Sequence, residues 1–184
     1  MSEKLPTREE ALNYLIKSGC SKRVIQHCET VEKQALKIAE ACKNKGLKVD
    51  ITLVQIGALL HDIGRSKTHK VDHAVAGAEI AKSLGLPDSL VSIIERHVGG
   101  GIPAEEAKTL GLPPKDYIPE TLEEKIVSYA DKLVEGAREV PIHRTVQNFS
   151  KKHGENHPAI QRILKLQEEF ASIIGDSNAH HNSS

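Results

Sequence analysis

Six residues of this chain are of metal-binding types and fall where a folded core would gather them: His27, His61, Asp62, His73, His97 and Asp131. The densest point is Ala58-Leu59-Leu60-His61-Asp62-Ile63-Gly64-Arg65, where an apolar run leads into an adjacent His-Asp pair and the chain turns at Gly64. Imidazole suits Zn, Fe, Ni or Cu and carboxylate suits Mg or Mn, so the pair together is a good ligand set for a divalent cation. Adjacent side chains on a helix point roughly 100° apart, so one metal takes both only at a helix end, where the backbone can adjust. Gly64 is expected to supply that end as a C-terminal glycine.

Each residue also has a plainer reading. His27 at a core edge, His73 in the first turn of a helix and His97 as a positive charge at a helix C-terminus all occur without metal, and Asp131 could be an ordinary buried, hydrogen-bonded carboxylate. What sets them apart is that all six sit at the edge of an apolar helix face. There they must be satisfied by one another, by the backbone or by a shared cation. Four such groups complete one site; six suffice for two cations about 3.5–4 Å apart.

The elements that must position them read as helices. Thr7-Arg8-Glu9-Glu10 is a capping box that opens a short helix, closed at Gly19. From Lys22 to Lys45, Val24, Cys28, Val31, Ala35, Ile38 and Cys42 alternate steps of four and three, a long amphipathic helix carrying His27. Asp50 caps a third helix, Ile51 to about Asp62, apolar almost all round and therefore central. A polar loop, Arg65 to Val71, precedes a helix capped by Asp72 and stopped at Gly85. Pro87-Asp88 starts another, with Leu90 to His97 on one broad face. Residues 99–120 are irregular, with a short helix near Ala104 to Leu110, and are expected to form a lid. A second capping box, Thr121 to Glu124, opens the helix that bears Asp131. A weaker helix runs from Pro141 to Lys152, and a last amphipathic one begins at Pro158. No repeat, phosphate-binding glycine loop or strand pattern emerges, so the chain is read as all-α.

The order H…HD…D resembles the HD superfamily of metal-dependent phosphohydrolases, and His61-Asp62-Ile63-Gly64 matches its HDIG variant. By this resemblance His27 is the first motif histidine, His61 and Asp62 the doublet and Asp131 the final aspartate, over about residues 22–140. His73, in His73-Ala74-Val75-Ala76-Gly77-Ala78-Glu79, and His97, in Arg96-His97-Val98-Gly99-Gly100, resemble the two extra histidines of dinuclear members, which include dinucleoside-tetraphosphate hydrolases and cyclic-dinucleotide phosphodiesterases. The common Lys after the doublet is Arg65 here, and no GYP signature is present, which argues against cyclic di-GMP. The resemblance implies an HD-type helical bundle with a metal site between central helices, binding one or two divalent ions (Fe, Mn, Co, Ni, Zn or Mg). It implies that metal-activated water attacks a phosphate ester or anhydride, of a nucleotide above all. Asp62 would orient the nucleophile. Arg65 and Lys132 would hold phosphate oxygens, with Lys67, Arg96 and Arg138 as further candidates. The alternatives are a dinuclear phosphodiesterase or dinucleoside-polyphosphate hydrolase and, in another class, a catalytically silent metal- or nucleotide-binding module.

Composition narrows the partners. Lys plus Arg and Asp plus Glu balance at 25 each, and aromatics are 3% with no Trp, so neither a nucleic-acid polymer nor a membrane surface is expected. The three cysteines, Cys20, Cys28 and Cys42, form no framework and read as reduced thiols of a cytoplasmic protein. At 184 residues one core is expected. An N-terminal helix would fill residues 1–20, the HD core 21–140, and helices packed on that core 141–175, with a disordered tail at 176–184. A homodimer through the last helix is the open option. His69, His143, His153, His157, His180 and His181 are expected to be solvated.

Overall fold

The computed structural model describes residues 3–175; the expected tail at 176–184, with His180 and His181, lies outside them. The architecture is all-α. Among the described residues nine α-helices occur with one two-stranded sheet. None of these helices is long and apolar enough to cross a membrane.

The first helix, α1 (Arg8–Ser18), opens on a complete capping box: Thr7 Oγ1 accepts from the Glu10 N–H, and Glu10 Oε2 from the Thr7 N–H. In α2 (Lys22–Asn44), Cys28, Val31, Ala35, Ile38, Ala39 and Cys42 are buried along one stripe. That stripe also buries Glu32, which takes Arg8 Nε at 2.8 Å and Gln55 Nε2 at 2.9 Å on its Oε1. A buried carboxylate is tolerable only when so satisfied, and this one ties α1, α2 and α3 together. The central helix, α3 (Ile51–Leu60), buries Val54, Ile56, Ala58, Leu59 and Leu60, serving the cores on both of its sides. Each Leu or Ile so buried contributes roughly 1.5–3 kcal/mol.

A single 3-10 turn, Ile63–Ser66, leads to α4 (His73–Ser83), and α5 (Asp88–Glu95) follows. Asp72 does not cap α4 through its side chain; its Oδ1 accepts from Thr68 Oγ1 at 2.9 Å instead. The irregular stretch is not an open lid. Ile102 and Tyr117 form an antiparallel bridge, and Ile102, Ala107 of α6 (Ala104–Thr109), Leu112 and Tyr117 make a small core against Val71, Val75 and Val98.

The Asp131 helix, α7 (Leu122–Lys132), has Thr121 accepting from the Glu124 N–H, but the Glu124 carboxylate bonds Glu120 N rather than Thr121 N, so the second box is displaced by one residue. A short hairpin follows that the sequence reading did not contain: β1 (Val134–Glu135) pairs antiparallel with β2 (Arg138–Glu139) around Gly136, φ 61°. Strands of two residues are too short to show alternation. Finally α8 (Ile142–His153) leads to α9 (Pro158–Ile174), whose Ile163, Leu166 and Phe170 enter the main core. Phe170 stacks on Tyr129 of α7 with ring centroids 5.2 Å apart.

Candidate metal centre

Five chain segments deliver the six ligand-type residues to one point. His27 comes from the second turn of α2, and His61 and Asp62 from the end of α3. His73 is the first residue of α4, His97 follows α5, and Asp131 stands in the last turn of α7. The doublet escapes helical divergence as the sequence requires: α3 ends at Leu60, His61 keeps helical angles, and Asp62 leaves them at φ −101°, ψ 15°.

Gly64 plays a different part from the left-handed helix stop expected of it, for its φ is not positive. A Cβ there would fall on the His73 carbonyl oxygen and lie 2.6 Å from the Gly77 nitrogen. Gly77 is as confined, since its own Cβ would meet Ile94 Cγ2 at 2.8 Å. The two glycines therefore let α4 lie directly on the turn after the doublet, which brings His73 to Asp62.

The histidines share one hydrogen-bonding device. His61, His73 and His97 each present Nδ1 to the carbonyl three residues back, those of Ala58, Lys70 and Ile94, at 2.6, 2.7 and 2.7 Å. His27 presents Nδ1 to the Gly136 carbonyl of the hairpin turn at 2.7 Å. A carbonyl oxygen has no proton to give, so every Nδ1 is the N–H and every neutral ring aims an Nε2 lone pair inward.

What those lone pairs meet is more acceptors. Asp62 Oδ1 lies 3.2 Å from His73 Nε2 and 3.3 Å from His97 Nε2, and these two nitrogens are 3.1 Å apart. Asp62 Oδ2 lies 3.6 Å from both His27 and His61 Nε2. Asp131 Oδ1 is 3.0 Å from His27 Nε2 and 3.5 Å from His61 Nε2. His61 is fully buried and its Nε2 has no hydrogen-bond partner. Acceptors packed against acceptors in a buried site need positive charge between them. The ligand atoms of His27, His61 and Asp131 lie within 4.8 Å of one another, as do those of His61, Asp62 and His97. Both donor sets fit a divalent cation.

Protonation in the metal-free protein shows the same demand. Burial would raise both aspartates, but His61, His73 and His97 outweigh it at Asp62, and Lys132, His27 and His61 outweigh it at Asp131, so both stay well below the usual range. Burial works against a charged His27, yet its bond and charge interaction with Asp131 push it up to about 9. His97 is pulled down to about 4, chiefly by burial. Without a cation, His27 carries the proton that Asp131 needs, and His97 stays neutral with its lone pair facing a carboxylate.

Of the cations expected near phosphate, Arg65 reaches the centre, with Nε 3.4 Å from Asp62 Oδ2 and Nη1 donating to the His69 carbonyl at 2.9 Å. Lys132 Nζ bonds Asp131 Oδ2 at 2.7 Å and the His97 carbonyl at 3.3 Å. Arg96 is committed elsewhere, to Glu124 at 3.0 Å and Glu120 at 3.2 Å. Lys67 and Arg138 are exposed. Of the histidines expected to be solvated, His69, His143 and His153 are exposed, while His157 is partly buried and caps α9 through Nδ1; His153 and His157 both lie against the Phe149 ring.

Beside the centre opens a cleft of about 540 Å³. His73 and Arg65 form its inner wall, and α8 contributes Thr145, Asn148, Phe149 and Lys152. The sequence reading missed these α8 residues, because nothing in their types marks them until the hairpin turns α8 toward the site. No residue of 99–120 lines this cleft among the described residues.

The family described as HD domain matches residues 24–136. An uncharacterized protein of Methanocaldococcus jannaschii is 51% identical over 166 residues, 90% of this chain and 98% of that protein. A tRNA (cytidine(56)-2'-O)-methyltransferase of Picrophilus torridus is 46% identical over 93% of this chain, which spans only 48% of that longer protein. Among solved structures, the L. monocytogenes phosphodiesterase PgpH HD domain in complex with cyclic-di-AMP aligns over 95% of this chain and 99% of its own, with a TM-score of 0.49 at 18% identity.

Proposed function

The chain belongs to the HD domain family, and we propose that it is a divalent-metal-dependent phosphohydrolase that cleaves a phosphate ester or anhydride of a nucleotide. The observation that carries this reading is the division of labour at Asp62, whose two oxygens face two different pairs of imidazole nitrogens. One cation would be held by His27, His61, Asp131 and Asp62 Oδ2; a second would be held by His73, His97 and Asp62 Oδ1. Cations in such a site neutralise phosphoryl oxygens and bring the pKa of water toward neutrality.

The chain's own groups do the rest. The backbone carbonyls of Ala58, Lys70, Ile94 and Gly136 lock the four rings in one tautomer, so no ring has to turn over to bind. Lys132 acts through Asp131: by holding Oδ2 it leaves Oδ1 facing His27 and His61. Arg65 donates one of its five N–H groups to the His69 carbonyl and sets its charge 3.4 Å from Asp62 Oδ2, leaving other donors for a phosphate oxygen entering from the cleft. The nucleotide part of the reading draws support from the cationic and aromatic walls of that cleft, and from the RNA-modifying name of the longer Picrophilus relative.

The test is product release from bis(p-nitrophenyl) phosphate and from nucleotides by protein stripped with a chelator and reloaded with Mn²⁺. Hydrolysis is expected on reloading and is expected to fall more than about 100-fold in His61→Ala and Asp62→Ala, beyond what loss of an outer-shell partner costs. A protein that binds metal and nucleotide yet releases no product from any of these substrates would be a binding module, and the enzyme reading would fail.

A further inference from the structure

One wall of the cleft comes from α8, which lies wholly beyond the family match at residues 24–136. Its lining is unbalanced in a chain whose charges cancel overall. Arg65, Lys70 and Lys152 are the basic side chains there besides histidine, while the one carboxylate among the lining residues, Glu135, is already held by Arg144 at 2.9 Å and by Asn148 at 3.2 Å. Arg65 is committed to the Asp62 side of the cleft. Lys70 and Lys152 are exposed, and no contact of their side chains with the metal cluster occurs among the described residues, where Lys70 touches His73 through its backbone carbonyl. Phe149, half-buried, lines the same cleft, its ring braced by His153 at 4.4 Å and His157 at 5.2 Å between centroids. A braced aromatic ring in a cleft that two lysines also line suits a flat base with a phosphate next to it. The cleft volume, about 540 Å³, falls within the roughly 300–1,000 Å³ usual for small-molecule sites.

We infer that α8 and Lys70 form a second subsite, in which Phe149 stacks a nucleobase and Lys70 with Lys152 holds a phosphate other than the one at the metal centre. The substrate is then a nucleotide with at least two phosphate groups, and α8 sets specificity while the family core performs the chemistry. This rests on the phosphohydrolase reading of the metal centre.

Two probes differing by one phosphate test it: adenylyl-(3',5')-adenosine with and without a 5'-phosphate. Wild-type protein and the Lys70→Ala, Lys152→Ala and Phe149→Leu variants are compared in steady-state hydrolysis and in equilibrium binding by calorimetry, with circular dichroism checking that each variant folds. The wild type is expected to prefer the 5'-phosphorylated probe. Each lysine substitution is expected to shrink that preference by about tenfold, mostly in KM and in the dissociation constant. Phe149→Leu is expected to weaken both probes alike, about five- to tenfold. Equal affinity for the two probes in the wild type, or a preference untouched by both lysine substitutions, would overturn the subsite. If no probe is hydrolysed but calorimetry shows the lysine-dependent preference, the catalytic reading fails and the subsite stands.

Discussion

His27 links the proton economy of the site to its metal. Held up to about 9 by Asp131 in the metal-free protein, it must lose a proton before it can ligate. Apparent metal affinity is therefore expected to climb about tenfold per pH unit from neutrality to about pH 9 and then level off. Competition against a chromophoric chelator reads this directly, and an affinity flat over that range would mean that His27 is not a ligand. Arg65 permits a finer test. Arg65→Lys keeps the charge but loses the fork that spans Asp62 and His69; kcat/KM is expected to drop about tenfold while metal content holds. A parallel loss of metal would show that Arg65 serves only to position Asp62.

Among the elements, the contact of α4 with the turn after the doublet is the most demanding, because it closes backbone to backbone. Gly64→Ala would drive a methyl group into the His73 carbonyl, with no flexible side chain to give way. We expect at least about 3 kcal/mol of destabilisation in a urea titration, at or beyond the usual range for overpacking, together with loss of one metal as His73 moves off Asp62. Native stability in the Gly64→Ala variant would contradict the close approach. The same contact marks what a sequence can reveal. The helices and the polar residues on their faces were legible from periodicity and caps, and the H…HD…D order pointed to their convergence. Gly64 was legible as important but not for its reason, since a backbone contact between Gly64 and His73 leaves no trace in local propensity. The hairpin that supplies the Gly136 carbonyl to His27 and the α8 wall of the cleft were not legible at all. Their placement is decided by tertiary packing, and the residues themselves are ordinary.

In the molecule as a whole, two histidines of the centre, the partly buried His27 and the buried His97, set opposite limits on the pH range of the metal-free protein. His97 titrates at about 4 when folded, against an ordinary 6.5. Its contribution is complete above about pH 6.5 and is lost as the pH falls toward 4, because the unfolded chain takes the proton that the folded one refuses. His27 titrates at about 9 against 6.5. Its contribution is complete below about pH 6.5 and is lost as the pH rises through 9. The melting temperature of stripped protein is therefore expected to peak near pH 6.5 and to decline on both sides, whereas metal-loaded protein keeps its stability on the alkaline side, where less proton competes for His27. A stripped protein that grows steadily more stable from pH 6.5 to 9 would contradict the His27–Asp131 pairing.

The central claim, that Asp62 is shared between two cation positions, is tested most directly by metal content. Elemental analysis of protein purified without a metal-affinity column is expected to give about two divalent ions per chain in the wild type, and about one in both His73→Ala and His97→Ala. About one ion per chain in the wild type, unchanged by either substitution, would confine the metal to His27, His61, Asp62 and Asp131 and contradict the two-cation site.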